Sequence, residues 1–491
     1  MIKQFRKSTI STLVASALGT LALTGTAIAS ESDLQRRVDA MQKDLDALKA
    51  QAAKAAAAPV ASAVTGATRY EDGYLVWGSG DGKYELKLDG RVQLDVGPVN
   101  SKLNGGVVKS DSKFRRVRLA FKGKFDRDWN GELDLDFANN ELDIKDMWLA
   151  YTGFEGVGIK VGHFKPHFSI DQVTSSRVAT YMESSIATEL FAPSRRIGLA
   201  ADYVNDWVFV GGGVFGDKIN TAGEARDNPS MNAQSETFGY SMRTAVRPLW
   251  RADPNKAFHI GLNVLYNRPR SNVAPDDDRL KFASVVENEL TQVEFIDTKQ
   301  IQGVRGALTT GLEVAYKHGP HILSGEYLKT KVKLKGVMGN MHPTVAAVWP
   351  SVQAPSFDTY YVAYSYFISG DRRYDAQSAE FASVTGRNAL ELTARYSVAD
   401  MNDSGGYTRN RTSAYRDTSR GVFGGKANIA TLGLNWYPNP HVKLMVNYMD
   451  IKLDKDADAD AGGFELANAT VVPIVGNDRI KVLGLRAQFV F

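Results

Sequence analysis

From about Tyr70 to the last residue, apolar and polar positions alternate with a period of two, the spacing that gives a β-strand one apolar and one polar face. In the stretch Leu88-Asp89-Gly90-Arg91-Val92-Gln93-Leu94-Asp95-Val96, Leu88, Val92, Leu94 and Val96 share one face, and Asp89, Arg91, Gln93 and Asp95 share the other. Val117, Leu119 and Phe121 alternate with Arg116, Arg118 and Lys122, and Leu133, Leu135 and Phe137 alternate with Glu132, Asp134 and Asp136. Faces so strongly divided suit a sheet between lipid and a watery lumen. A soluble sandwich would show the same local pattern with its charged face outward. The order of the connections separates the two. Compact turns such as Asp126-Arg127-Asp128 and Tyr437-Pro438-Asn439-Pro440-His441 occur among longer polar stretches from Gly216 to Glu236, Arg268 to Asp278 and Asn402 to Gly421. Membrane barrels show this asymmetry of short turns and long loops. The terminal strand carries Leu483, Leu485, Ala487, Phe489 and Phe491 on one face and Gly484, Arg486 and Gln488 on the other. It suits the closing seam of a barrel, which tolerates no free edge in lipid.

Upstream, the period changes. Leu34, Val38, Met41, Leu45, Leu48 and Ala52 follow one another in steps of 4, 3, 4, 3 and 4, the a/d spacing of a heptad helix. Self-association, or packing on a neighbouring surface, would bury that stripe. Before it, Lys3, Arg6 and Lys7 precede an uncharged run ending in Ala27-Ile28-Ala29, which reads as a cleavable secretory signal. The organisation expected is a signal peptide at 1–29, a periplasmic coiled-coil helix at 30–54, an Ala-rich linker and lead-in at 55–80, and a barrel at 81–491. Dividing about 420 residues by about 25 per strand and connection gives about 16 or 18 strands. No later stretch supplies 18 or more uncharged apolar residues, so crossing by a helix is not expected.

Composition changes little else. The chain of 491 residues has no Cys, which excludes disulfides and thiolate metal sites. Lys3, Arg6 and Lys7 supply +3 of the formal net charge of +4, leaving about +1 for the mature chain and no basic excess of the kind that nucleic-acid binding requires. There is no P-loop and no HExxH motif. His163 and His167, four apart, would lie about 13 Å apart on a strand. Gly78-Ser79-Gly80-Asp81-Gly82 reads as a turn rather than a phosphate loop. Neither an enzyme nor a cofactor is expected.

Beyond residue 80 the chain resembles the phosphate-selective porin family. The resemblance rests on Leu88 to Asp95, on Phe114-Arg115-Arg116-Val117-Arg118-Leu119, and above all on Val161-Gly162-His163-Phe164-Lys165-Pro166-His167-Phe168-Ser169 continuing to Arg195-Arg196-Ile197-Gly198. Later anchors are Tyr366 to Asp371, Glu391 to Ser397, Gly433 to Tyr437, and Asn447-Tyr448. The resemblance implies an all-β fold, a sixteen-stranded transmembrane antiparallel barrel assembled as a homotrimer in the outer membrane. It also implies inward-folded loops whose arginines and lysines pass a small anion, such as phosphate. The heptad helix matches a periplasmic extension known in some members.

Arg91, Arg116, Arg118, Lys122 and Lys124 share the lumen phase, and Arg115 has the opposite parity. With Lys165, Arg177, Arg279 and Lys281 they form the expected anion pathway. Several positions depart from the family pattern. Gln172 replaces a pore lysine, Ser184 follows Glu183 where many members have arginine, and Ser284-Val285-Val286-Glu287 replaces further arginines. Weaker selectivity, or another anion such as an organic acid, is the corresponding expectation. A general porin with mild anion preference and a barrel-anchored adhesive protein are the alternatives.

Overall fold

The computed structural model describes residues 39–40, 42–43, 46, 68–71, 74–101, 111–138, 140–219, 236–247, 256–269, 279–291, 293–302, 304–334, 354–407, 420–455, 464–465, 471–472 and 476–491. The expected signal peptide, the first part of the linker and lead-in, and most of the heptad stretch lie outside these residues. Asp39, Ala40, Gln42, Lys43 and Asp46 are helical and exposed. The chain divides into two units, Met1–Thr65 and Gly66–Phe491.

The second unit is a closed barrel of sixteen antiparallel strands. In chain order they are β1 (Glu85–Gly97), β2 (Asp111–Phe125), β3 (Trp129–Asp136), β4 (Asp143–Phe154), β5 (Val157–Phe164), β6 (Arg196–Val204), β7 (Val208–Phe215) and β8 (Glu236–Val246). There follow β9 (Lys256–Pro269), β10 (Val304–His318), β11 (His321–Leu334), β12 (Ser356–Asp375), β13 (Glu380–Tyr407), β14 (Arg420–Asn439), β15 (Val442–Lys455) and β16 (Gly476–Val490). Several strands reach into stretches that their polarity assigns to loops: β9 runs through Pro269 and β13 through Tyr407. A strand that rises beyond the lipid no longer needs an apolar outer face, so its alternation fades there before its hydrogen bonds do.

Burial is inverted relative to a soluble protein. Glu391, Asn435, Asn447 and Gln93 are fully buried inside, whereas Leu262 and Leu432 are 60% and 63% exposed outside. Outward aromatics gather near both rims, as in Trp129 and Tyr151, whose ring centroids are 5.0 Å apart, and Tyr240 and Tyr266 at 5.1 Å. Such rings suit the two lipid–water interfaces.

The barrel closes by pairing β16 with β1, in the register Arg486↔Asp95 and Phe489↔Val92. Phe491 extends the seam, exchanging backbone hydrogen bonds with Gly90 at 2.7 and 3.1 Å. Both chain ends of the barrel therefore lie with the short turns, the periplasmic end in barrels of this kind. A short hairpin precedes β1: Thr68–Glu71 pairs with Tyr74–Gly78, which adds to β1 through Leu75↔Leu88 and Val76↔Lys87.

Two long connections fold inward, residues 165–195 after β5 and residues 279–302 before β10. The first carries two short helices, α1 (Ile170–Val173) and α2 (Ile186–Phe191), started by the Ser169 and Ser185 hydroxyls acting as caps. The inner wall near the loop end of β9 to β16 is apolar. Leu265, Leu328, Phe357, Met401, Ile429 and Ile451 pack there against Phe168, Ile186, Phe191, Phe282, Phe295 and Ile296 of the two loops. Each large side chain so buried contributes about 1.5–3 kcal/mol, which is why the loops lie in the lumen rather than over the mouth. The turn between β12 and β13 also folds inward. Arg243 donates to the carbonyls of Ser378 and Ala379 at 2.9 and 2.6 Å, and Tyr374 bonds His259 at 2.7 Å. Ala245, Ala257 and Ala315 leave room for it on the wall.

The seam has a sharp steric limit. A Cβ on Gly97 would stand 1.9 Å from the Leu483 carbonyl oxygen, so Gly97→Ala must displace β16. The variant should lose about 1–3 kcal/mol. Electrophoretic mobility of unheated samples against temperature measures this as a lower unfolding temperature, and an unchanged one would show that the seam relaxes freely.

Candidate functional site

Among the described residues, cavities follow one another inside the barrel from the loop end to the turn end. The first, about 360 Å³, is bounded by β2 and the infolded loops, with Arg115, Arg116, Glu183 and Glu289 in its wall. The middle one, about 560 Å³, lies against β1 to β6 and includes Asp89, Arg91, Lys122, Asp134 and Lys160. The third, about 520 Å³, opens at the turn end among Tyr74, Lys87, Arg373, His441 and Lys443. Arg118, Lys165, Ser176 and Arg195 border both the first and the middle cavity, and Arg177 borders both the middle and the third. These shared residues stand where neighbouring cavities adjoin along the lumen.

The cations along the lumen fall into two groups. Most are held by carboxylates. Glu183 receives Arg115 at 2.9 Å, Arg116 at 3.1 Å and Arg486 at 2.7 Å. Arg118 bonds Asp136 at 2.7 Å and lies 3.6 Å from Asp134, and Lys122 bonds Asp89 at 2.6 Å. Arg195 pairs with Asp146 at 2.9 Å, Arg395 with Glu287 at 2.6 Å, and Arg177 with Asp89. The second group has no carboxylate within 4.0 Å among the described residues. Arg91 donates to the Ser176 hydroxyl at 3.0 Å, Lys165 to the Gln172 carbonyl at 2.6 Å, and Lys443 to the Ala179 carbonyl. Lys160 lies 4.4 Å from the centre of the Trp148 ring.

The expected pathway residues are thus only partly gathered. Arg91, Arg115, Arg116, Arg118, Lys122, Lys165 and Arg177 line these cavities. Lys124 is exposed near the turn end, Lys281 bonds Glu294 at 2.6 Å in the second loop, and Arg279 pairs there with Gln302 through the backbone. None of these three lines the cavities.

Arg115 corrects the expectation from parity. The β1–β2 register jumps from Gln93↔Arg116 to Leu94↔Phe114, so Arg115 is the extra residue of a β-bulge. Phe114 keeps its outward direction while both arginines reach Glu183.

The positions where the family's lysine and arginines are missing have structural work instead. Gln172 bonds the Pro193 carbonyl at 2.6 Å, closing the first loop on itself. Val286 is fully buried, and Glu287 joins Arg395 and the Ile186 N–H, which it accepts at 2.8 Å. Inspection of the chain for pore cations missed Arg195, Lys160, Lys443 and Arg486, although the inward phase of the terminal strand already pointed to Arg486.

A lumen-lining barrel of this kind, with loops drawn in over a charged wall, defines an outer-membrane porin. The chain belongs to the family of phosphate-selective porin O and P, which it matches over residues 86–491. It is an anion-conducting outer-membrane porin. It is 26% identical over 430 residues to Porin O of Pseudomonas aeruginosa, covering 78% of this chain and 87% of that protein. It is 25% identical over 387 residues to an uncharacterized protein of Caulobacter vibrioides, covering 75% and 69%. Among solved structures it is similar to an anion-selective porin from Comamonas acidovorans, with a TM-score of 0.47, 15% identity, and 83% and 100% of the two chains covered. It is similar also to the outer-membrane channel DcaP of Acinetobacter baumannii, with a TM-score of 0.47, 14% identity, and 84% and 99% covered.

Two ionisable groups on the first loop make the lumen sensitive to pH. Burial, with Arg195 nearby, brings the Lys165 ammonium down to about 7. Burial, with Glu289 nearby, raises the Glu189 carboxyl to about 7. As pH rises through that value Lys165 loses a positive charge and Glu189 gains a negative one. The anion-to-cation permeability ratio should therefore fall between about pH 6 and about pH 8. Reversal potentials in a salt gradient measure it, and a ratio that rises with pH contradicts this arrangement.

Proposed function

We propose that the chain is a passive channel for phosphate or related small anions, including organic acids. Of the ten expected residues, Arg91, Arg115, Arg116, Arg118, Lys122, Lys165 and Arg177 supply the basic surface of its route, and Lys124, Arg279 and Lys281 act on it only from outside the cavities. The anion is offered hydrogen bonds chiefly by Arg91, Lys165 and Lys443. The observation that carries this reading is the placement of Lys165 and Arg91, without carboxylate partners, on the charged side of the lumen. Cations already held by carboxylates mainly set the potential. The few that remain can replace part of an anion's hydration without trapping it. No chemical step is assigned to the protein.

The proposal includes export by residues 1–29, a periplasmic helix at 30–54, a linker and lead-in at 55–80, and a homotrimer of barrels from residue 81 onward. A general porin with mild anion preference is the second reading. It is favoured by Asp134, Asp146 and Glu183, which stand on the same route.

Planar-bilayer recording separates the two. Phosphate should block the chloride current, and Lys165→Met with Arg91→Met should weaken that block by about tenfold, or about 1.4 kcal/mol. Arg116→Ala with Arg118→Ala should move the reversal potential toward cations, because Glu183, Asp134 and Asp136 lose counter-charge. Absence of phosphate block leaves the general porin, and a cation-selective wild-type channel would sink both readings.

A further inference from the structure

The segment that leads into the barrel reaches the pore. Tyr74 opens the strand Tyr74–Gly78, whose backbone is paired on both sides. Its ring lies close to two cations, with Lys87 Nζ 3.5 Å and Arg177 Cζ 4.9 Å from the ring centre. The Tyr74 hydroxyl also accepts a hydrogen bond from Arg177.

Arg177 needs such partners. It lies on the first infolded loop between α1 and α2, in a turn where no ladder of strand hydrogen bonds fixes its direction. Its guanidinium is held by Tyr74, by the Gly90 carbonyl at 3.2 Å, and by Asp89. Asp89 already takes Lys122 at 2.6 Å, so it does not determine the position of Arg177 alone. A guanidinium against an aromatic face, with a hydroxyl at its edge, is fixed in both angle and depth.

We propose that Tyr74 is a positioning residue of the pore, holding the Arg177 guanidinium at the junction of the middle and turn-end cavities. The segment ahead of the barrel thereby takes part in deciding which ions pass. The proposal rests on the reading of these cavities as the anion route. Tyr74 and Lys87 border the turn-end cavity alone, whereas Arg177 borders both. Loss of the ring frees Arg177 to follow Asp89 and Lys122 along the wall, which removes a fixed positive charge from the junction.

The test uses the full-length protein in planar bilayers, with potassium chloride on both sides and its gradient setting the reversal potential. Tyr74→Ala should lower the anion-to-cation permeability ratio by about two- to fivefold and increase open-channel noise. Tyr74→Phe, which keeps the ring and loses the hydroxyl, should fall between Tyr74→Ala and wild type. Arg177→Ala should lower the ratio as well, and adding Tyr74→Ala to it should change nothing further. Trp77→Ala tests the strand itself, since Trp77 is 39% exposed on the outside; it should leave the ratio at the wild-type value. If Arg177→Ala lowers the ratio and Tyr74→Ala does not, the role of Tyr74 is overturned while the anion route stands. An Arg177→Ala channel with wild-type selectivity overturns both. Equal effects of Trp77→Ala and Tyr74→Ala would reduce Tyr74 to a structural part of the strand and overturn the proposal.

Discussion

The Glu183 carboxylate is the contact on which the pore depends. It stands on an infolded loop and takes Arg115 and Arg116 from β2 and Arg486 from β16, while Arg486 also holds Asp95 of β1 at 2.6 Å. One side chain thus ties the loop directly to β2 and β16, and through Arg486 to β1 between them, across the closing seam. Burial by itself would favour the neutral acid, but the three arginines more than offset it and hold this carboxyl well below the usual range. Such a cluster is rigid because each charged group would be left buried and unpaired if another moved away.

The consequence is an asymmetric lumen. On the side of β9 to β16 near the loop end, apolar wall and apolar loop residues bury one another. On the side of β1 to β6, the wall remains charged and borders the middle cavity. Packing decides where the loops lie, and their position decides which charges face the route. Carboxylates then neutralise most of those charges, which agrees with a formal net charge of only +4 over the 491 residues of the chain. What distinguishes one cation from another is its partner, since Lys165 and Arg91 bond neutral oxygens whereas Arg116 and Arg118 bond carboxylates.

Much of the barrel was legible in the chain. Period-two alternation marked the strands because lipid and water demand opposite faces, and the aromatic end of β16 marked the seam. The resemblance to porins supplied the strand number and the inward loops. Arg115 was not legible, because a bulge is one unpaired residue and leaves the composition of its strand unchanged. The infolded turn of β12 and β13 was hidden for a similar reason: both its arms are strands, and its inward direction depends on Arg243 and small alanines on distant strands. The division of the cations was hidden most deeply. Arg486 and Glu183, and Arg395 and Glu287, are far apart in sequence, and only the closed barrel brings them together.

On the proposed route, anions meet the carboxylate-free cations of an otherwise neutralised lumen. A crystal structure of the protein soaked in bromide, with anomalous scattering locating the ion, tests it most directly. Anomalous density is expected beside Lys165 and Arg91, and none among the arginines around Glu183. Density confined to Arg115, Arg116 and Arg486, or a lumen without bromide, would contradict it.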